Sequence, residues 1–439
     1  MKSKKLFAIF TLCFLAALLP LQIVFGQSLT PTIYKISVEG PLTPALVGYI
    51  ERGITIAESN ESQLLIIELN TPGGSIDLMN TIVQNIRSSE VPVAVYVAPR
   101  GAIAGSAGTL ITLSGHIAAM APETAIGAAS PVGSQGEDLG ETIEAKQKEI
   151  LKASIRSLAA NRGQDAIALA EDTIENARAV SSEEALNVGL IDFIATDTND
   201  LITQINGQTV ELATSSQTLI LDNAVVMSVE MSFIENLLQL LTNPNILFIL
   251  LTIGIQAIFI ELSNPGGWVA GFIGAVCLIL AVYGLGVLPV NWFGILFIVT
   301  AFILFILEVK APVHGALTAA GTVSFVVGSL VLFNSIQTPG FPTVSVPLVI
   351  STGLLLAVGI FIVLRFALRA LRTPIKTGME SLIGLVGYVH SPLEPKGIIQ
   401  LAGEEWSAIS ADNSTIPAGT PVQVVEKSGI SLVVKAIGK

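Results

Sequence analysis

The sequence predicts an α/β domain, a membrane-embedded helical region and a small all-β domain, in that order. Three observations carry this. Buried-type apolar strands alternate with helical stretches over residues 30–230, nearly unbroken apolar runs fill 246–371, and short alternating runs separated by turn residues occupy 376–439. Of the 439 residues, 51% are hydrophobic and only 13% are charged, too apolar for an ordinary soluble protein.

Composition also excludes. A formal net charge of −12 argues against nucleic acid, which needs a basic face. Cys13 and Cys277 both sit in apolar segments, so no disulfide framework or cysteine-based metal site is available. His116, His314 and His390 are far apart and lack ligand spacing, so neither a metal nor a cofactor is expected.

The chain opens with a basic head (Lys2, Lys4, Lys5) and an apolar stretch from Leu6 to about Leu19. Small or branched residues then lead to Gly26, so residues 1–26 read as a secretory signal cut after Gly26. Cleaved or kept as an anchor, it places the next domain outside the cytoplasm.

That domain begins with a strand at 32–38 and a helix at 42–59. The segment "LLIIELNTPGGS" is an apolar strand, a turn and the start of a helix at 76–88. "VPVAVYVA" (91–98) is a second buried strand, followed by "PRGAIAGSAGTLI", a helix and a strand near 116–120. Such strands, apolar on both faces and separated by helices, indicate a covered parallel sheet. A helix spans about 141–161, and Ser181 with Glu184 forms a capping box before a strand at 190–195.

An amphipathic helix at 232–242, suited to the bilayer surface, precedes five candidate spans at 246–263, 268–288, 292–309, 313–334 and 346–368. Each approaches the ~20 residues that cross a ~30 Å hydrocarbon core. Lys310 follows the third span, and Arg365, Arg369, Arg372 and Lys376 gather at the end of the last. The positive-inside rule therefore puts the first domain outside and the last inside. The runs in 378–439 recur at the spacing of a five-stranded barrel.

Chemistry gathers in two loops that follow apolar strands, "NTPGGS" and "PRGAIAGSAG". In a parallel sheet such loops meet at the ligand crevice. Gly73 and Gly74 open a helix and offer free backbone N–H groups, while Ser106 starts another beside the N–H of Ala107. A nucleophile beside backbone donors suits an acyl-transfer oxyanion. In isolation, a Gly/Ala-rich turn into a packed helix explains the same residues. His116 lies in an apolar strand and is a poor base, which leaves the lysines at 146, 148 and 152. A desolvated lysine can serve.

The segments "ELNTPGGS", "GAIAGSAGTLI", "HIAAMAPETAIGAASPVG", "IRSLAANRG" and "SSEEALNVGLID" resemble, in order and spacing over about 32–206, the membrane-bound ClpP-class serine proteases of the long-form NfeD family. These are also described as stomatin-operon partner proteases. "GMESLIGLVGYV" and "GEEWSAIS" resemble that family's C-terminal OB-fold. The resemblance implies a ClpP/crotonase-like first domain and a serine endopeptidase with Ser106 as nucleophile and Lys146 as general base. Gly74 and Ala107 match the oxyanion donors. The acidic segment from Ser130 to Lys146 differs in length from some relatives, so Lys148 stands as the alternative base. The implied substrates are apolar stretches of a stomatin/SPFH-like membrane protein, and a homo-oligomer is expected. Two other functions fit the architecture: a non-proteolytic scaffold for such a partner, and a crotonase-type acyl-CoA enzyme.

Overall fold

The seven residues Leu64–Asn70 alternate their side chains between two cores, Leu65, Ile67 and Leu69 into one and Leu64 and Ile66 into the other. A strand buried on both faces must be central, and the sheet around it follows from that. The computed structural model describes residues 30–133, 137, 139–263, 266–310, 315–334, 341–372 and 379–438. The expected signal sequence, Cys13, His314 and Lys376 lie outside them.

In chain order the first domain comprises β1 (Thr32–Glu39), α1 (Pro44–Ser59), β2 (Leu64–Asn70), α2 (Ile76–Ser88), β3 (Val93–Val97), β4 (Ile103–Gly105) and α3 (Ala107–Ser114). It continues through β5 (Ile117–Met120), β6 (Ala125–Gly127), α4 (Glu141–Leu158), α5 (Gln164–Glu175), β7 (Ala179–Ser181), α6 (Ser182–Asn187) and β8 (Phe193–Ile194). The rest is α7 (Thr198–Ile205), β9 (Thr209–Glu211), β10 (Ser216–Thr218) and β11 (Val225–Ser228). Six strands form one all-parallel sheet in the order β11-β1-β2-β3-β5-β8. A smaller sheet, β4-β6-β7, rises from the loops beyond its carboxyl edge.

Helix limits follow local chemistry. Thr43 caps α1 ahead of a proline at the first helical position, Ser75 caps α2, and Ser181 with Glu184 completes the expected capping box of α6. Two expectations need correction. The last strand of the first half is only Phe193–Ile194, and His116 precedes β5 instead of lying within it.

After the sheet come α8 (Phe233–Leu240), α9 (Pro244–Ser263), α10 (Val269–Val287), α11 (Phe293–Lys310), α12 (Ala316–Asn334) and α13 (Val346–Arg372). Among the described residues, four helices, α9 to α12, are long and apolar enough to cross a membrane. The described apolar stretch of α13, Val346–Ile362, is shorter than that, although its backbone stays helical over 27 residues.

The sequence pattern did not disclose a repeat found here. Glu261, near the end of α9, accepts from the N–H groups of Trp268 and Gly271 at the start of α10. Glu308, near the end of α11, accepts from Gly315, Leu317 and Thr318 at the start of α12 in the same way. A carboxylate at a helix N-terminus satisfies donors that lipid cannot. Gly274 and Gly321 stand at equal offsets from these glutamates. A Cβ at Gly274 would lie 3.0 Å from the Gly254 carbonyl, and one at Gly321 would lie 3.1 Å from that of Ala301. Small residues let paired helices approach closely.

The last domain contains β12 (Val386–Ser391), β13 (Lys396–Leu401), β14 (Glu404–Ser410), β15 (Pro421–Ser428) and β16 (Ser431–Ala436), closed into a barrel in the order β12-β13-β14-β16-β15. The β14–β16 pair is parallel, and Val389, Ile399, Leu401, Val422, Leu432 and Val434 fill the interior. This is the expected OB-type barrel.

Candidate active site

Beyond the carboxyl end of β2 the chain does not leave the sheet at once. Thr71 pairs with the loop after β3: its N–H donates to the Ile103 carbonyl (2.7 Å), and its own carbonyl accepts from Gly105 (2.9 Å). The Asn70 side chain also accepts from the N–H of Ile103 (3.1 Å). "NTPGGS" and "GAIAGSAG" are thereby stitched into one surface. Gly108 has to be small, because a Cβ there would lie 2.8 Å from the Thr71 methyl.

Within that surface the Gly73 N–H, expected to be free at a helix start, donates to Thr71 Oγ1 (3.0 Å) in a turn ahead of the Ser75 cap, and the Gly73 carbonyl accepts from Leu42 (2.9 Å). The resulting turn holds Gly73 at φ +118°. A Cβ at Gly73 would sit 2.6 Å from the Ser106 Cβ and 3.1 Å from its Oγ. The turn therefore lies directly against Ser106, and glycine is needed on both steric and conformational grounds.

Ser106 itself is at φ 52°, ψ −119°, at the N-cap of α3. A non-glycine residue there costs of order 1–3 kcal/mol and persists only when its surroundings enforce it. The enforcing contacts are visible. Ser106 N–H donates to the Gly127 carbonyl (2.8 Å), and its carbonyl accepts from Thr109 (3.0 Å). Thr109 Oγ1 in turn bonds the carbonyls of Ala104 and Gly127 and accepts from the Gly127 N–H. A serine at an N-cap ordinarily spends its hydroxyl on the first turn. Ser106 makes no such bond. Among the described residues the N–H groups of Gly74 and Ala107 also have no acceptor. The site thus presents a half-buried, uncommitted hydroxyl and two uncommitted backbone donors, an arrangement able to support nucleophilic attack on a carbonyl.

His116 takes no part. It precedes β5 at the amino end of the sheet, opposite these loops, where its Nδ1 accepts from the Val93 N–H (3.1 Å). Burial, reinforced by the nearby Arg87 charge, pushes its pKa down to about 4.

The lysines lie on α4, which packs against α3 and sends Leu151 and Ile155 into the core. Lys152 is paired with Glu149 and Glu175, whose hydrogen bonds raise its pKa and keep it charged. Lys148 is paired with Glu144 at 2.8 Å. Lys146 is exposed and has no ion pair or hydrogen bond among the described residues. Helical periodicity puts it on the face away from Leu151 and Ile155. The structure brings the serine and both donor loops together, and it shows no hydrogen bond from Lys146 or Lys148 to Ser106. Thr71, Thr109 and Gly127, which hold Ser106 in place, escaped the sequence reading. Only the unusual density of small residues hinted at such tight stitching.

The chain resembles known proteins over most of its length. Residues 32–215 match the NfeD1b N-terminal domain, 245–366 the NfeD integral membrane domain, and 379–435 the NfeD-like C-terminal, partner-binding domain. The chain is 38% identical over 411 residues to a membrane-bound protease of Pyrococcus horikoshii, covering 92% of each. It is 27% identical over 454 residues to the membrane protein NfeD1b of Bacillus subtilis, covering 97% of each. Among solved structures, a lysine-to-alanine mutant of a membrane-bound stomatin-specific protease, in complex with a substrate peptide, is 36% identical. It is matched over 48% of this chain and 98% of that one, with a TM-score of 0.45.

An α/β domain built on a parallel sheet, carried on apolar helices and 38% identical to such an enzyme, defines a membrane-bound protease. The chain belongs to the NfeD family.

Proposed function

We propose that this chain is a serine endopeptidase working through a Ser-Lys dyad on apolar segments of membrane-associated proteins, a stomatin/SPFH-like protein among them. Ser106 Oγ attacks the scissile carbonyl, the neutral amine of Lys146 takes its proton, and the N–H groups of Gly74 and Ala107 hold the oxyanion. Collapse of the tetrahedral species expels the amine product, which leaves with that proton. Water then attacks the acyl-serine by the same route.

The observation that carries this reading is the conformation of Ser106: a strained N-cap serine whose hydroxyl caps nothing and which abuts the Gly73 turn. The charges after the third and last spans support an extracytoplasmic peptidase domain and a cytoplasmic barrel, with α13 as a fifth crossing. The test is cleavage of an apolar peptide by the full chain in detergent. Ser106→Ala should abolish it while thermal unfolding stays unchanged, and undiminished cleavage by the pure variant would overturn the assignment.

A scaffold that binds such a partner without cutting it is the second reading. It is favoured by one observation: among the described residues no lysine is hydrogen-bonded to Ser106. A serine-directed covalent probe that labels the wild type but not Ser106→Ala excludes it.

A further inference from the structure

Helix α8 docks the wrong way round for a helix of a soluble domain. Its polar edge faces protein. Glu235 forms a two-pronged ion pair with Arg52 of α1 (2.8 and 2.7 Å), and the Thr43 hydroxyl donates to Gln239 (2.7 Å). Its apolar edge faces outward, with Phe233 81%, Ile234 66% and Leu240 51% exposed. Successive 100° steps put these three on one side of the helix and Glu235 and Gln239 on the other.

The chain beyond α8 bears on what covers that edge. Only Leu241, Thr242 and Asn243 separate it from Pro244, the first residue of the first membrane helix. That connection is a tight turn, with Asn243 N–H bonded to the Leu240 carbonyl (3.1 Å) and the Thr242 hydroxyl to that of Gln239 (2.7 Å). The Leu241 carbonyl lies against Gly284 of α10, where a Cβ would approach it to 2.5 Å. Interfacial helices lie where headgroups meet acyl chains, and a helix tied this closely to the mouth of a membrane hairpin is within reach of that boundary. Its apolar edge, free of charge, suits that boundary.

The polar edge leads to the active-site loop. Thr43 is the N-cap of α1 and follows Leu42, whose N–H holds the Gly73 carbonyl. The Leu42 side chain also fills the space beside Gly74, where a Cβ would meet it at 2.6 Å. We propose that α8 is an interfacial helix with lipid covering Phe233, Ile234 and Leu240, and that Glu235 and Gln239 moor α1, and with it the Gly73–Gly74 loop, to the bilayer surface. The loop then meets polypeptide that lies close to the membrane in preference to polypeptide free in solution. This second consequence rests on the peptidase reading; the position of the helix does not.

The test uses the full chain in phosphatidylcholine–phosphatidylglycerol nanodiscs, with Cys13 and Cys277 replaced by alanine. Single spin labels go on Phe233→Cys, Ile234→Cys, Leu240→Cys and, as a reference at an exposed polar position away from α8, in the turn between α7 and β9, Gln208→Cys. Collision rates are measured with oxygen, which partitions into lipid, and with a water-soluble nickel chelate. The expected result is oxygen-dominated relaxation at the first three sites and nickel-dominated relaxation at Gln208→Cys. Nickel dominance at all four overturns the proposal. So does protection from both reagents at the first three, which would mean that protein, such as a second copy, covers the edge. A second measurement compares cleavage of one peptide presented on a lipid anchor and free in solution. Gln239→Leu, which keeps the helix but removes its bond to Thr43, should lower kcat/KM several-fold for the anchored peptide alone. An unchanged ratio overturns the mooring even if the labels report lipid, whereas absence of any cleavage by the wild type would strike the peptidase reading instead.

Discussion

Gly73→Ala puts the geometry of the site under direct strain. The added Cβ would start 2.6 Å from the Ser106 Cβ, where ordinary contact begins at 3.4 Å, so the two loops must part by close to an ångström. A misplacement of about 1 Å at a reacting group costs on the order of 10²-fold in rate. The substitution also forces alanine to φ +118°, a strain of roughly 1–3 kcal/mol. Both effects should be measured on one preparation, kcat/KM with an apolar peptide and the unfolding midpoint. Gly163→Ala separates them. Gly163 is likewise at positive φ, +88°, but a Cβ added there would meet nothing within 4 Å, and it lies outside the site. We expect both variants to lose a few degrees of Tm and only Gly73→Ala to lose about two orders of magnitude in kcat/KM. If Gly73→Ala cleaves within a few-fold of wild type, the claim that this turn abuts and positions the nucleophile is wrong.

Lys146→Ala should lower kcat by about 10²–10⁴-fold, the usual worth of a general base, while Lys148→Ala, already paired with Glu144, should change it little; the reverse order would move the base to Lys148. His116, with its pKa pushed from 6.5 to about 4, contributes stability that is complete above about pH 6.5 and is lost as pH falls toward 4, because the unfolded chain binds a proton that the folded one refuses. That window is worth on the order of 3 kcal/mol, and urea unfolding should show His116→Gln losing much less stability than wild type between pH 7 and 4.5; parallel losses would contradict it. Glu308→Ala leaves three donors at the start of α12 without their carboxylate in a fully buried position, so it should depress Tm in detergent more than Glu261→Ala at the more exposed counterpart; equal shifts would count against capping as the role of Glu308.

The parallel sheet was legible because a strand buried on both faces needs apolar residues throughout, and "LLIIELN" and "VAVYV" have almost nothing else. Residues 76–88 were readable as a helix because Ser75 caps one end and the apolar positions recur at helical spacing. The barrel strands showed the alternation that a half-buried strand requires. β11 was hidden for the opposite reason: its four residues are exposed, and its pairing with β1 is parallel and remote in sequence. The strands β4, β6 and β7 are only three residues each, too short for any periodicity.

Ser106 could be picked out by its setting, but its positive φ could not. That conformation is imposed by Gly127 and Thr109, which no local pattern links to it. The placement of Lys146 was equally out of reach. The sequence puts Lys146 on a helix over about 141–161, whereas the side chain's distance from the serine depends on how α4 packs and on what substrate does to it. The paired glutamates of the membrane hairpins were overlooked because a charge in an apolar run reads as a boundary, and their common role emerges only when each is seen reaching the next helix.

The central claim is that Ser106 is an activated nucleophile. Its most direct test is mass-spectrometric mapping of a fluorophosphonate adduct on the full chain in detergent, with Ser106→Ala and Lys146→Ala treated in parallel. The expected result is one adduct on Ser106 in the wild type, none in Ser106→Ala and much slower labelling in Lys146→Ala. An adduct at another serine, or a wild type that cleaves peptide yet never labels at Ser106, would contradict it.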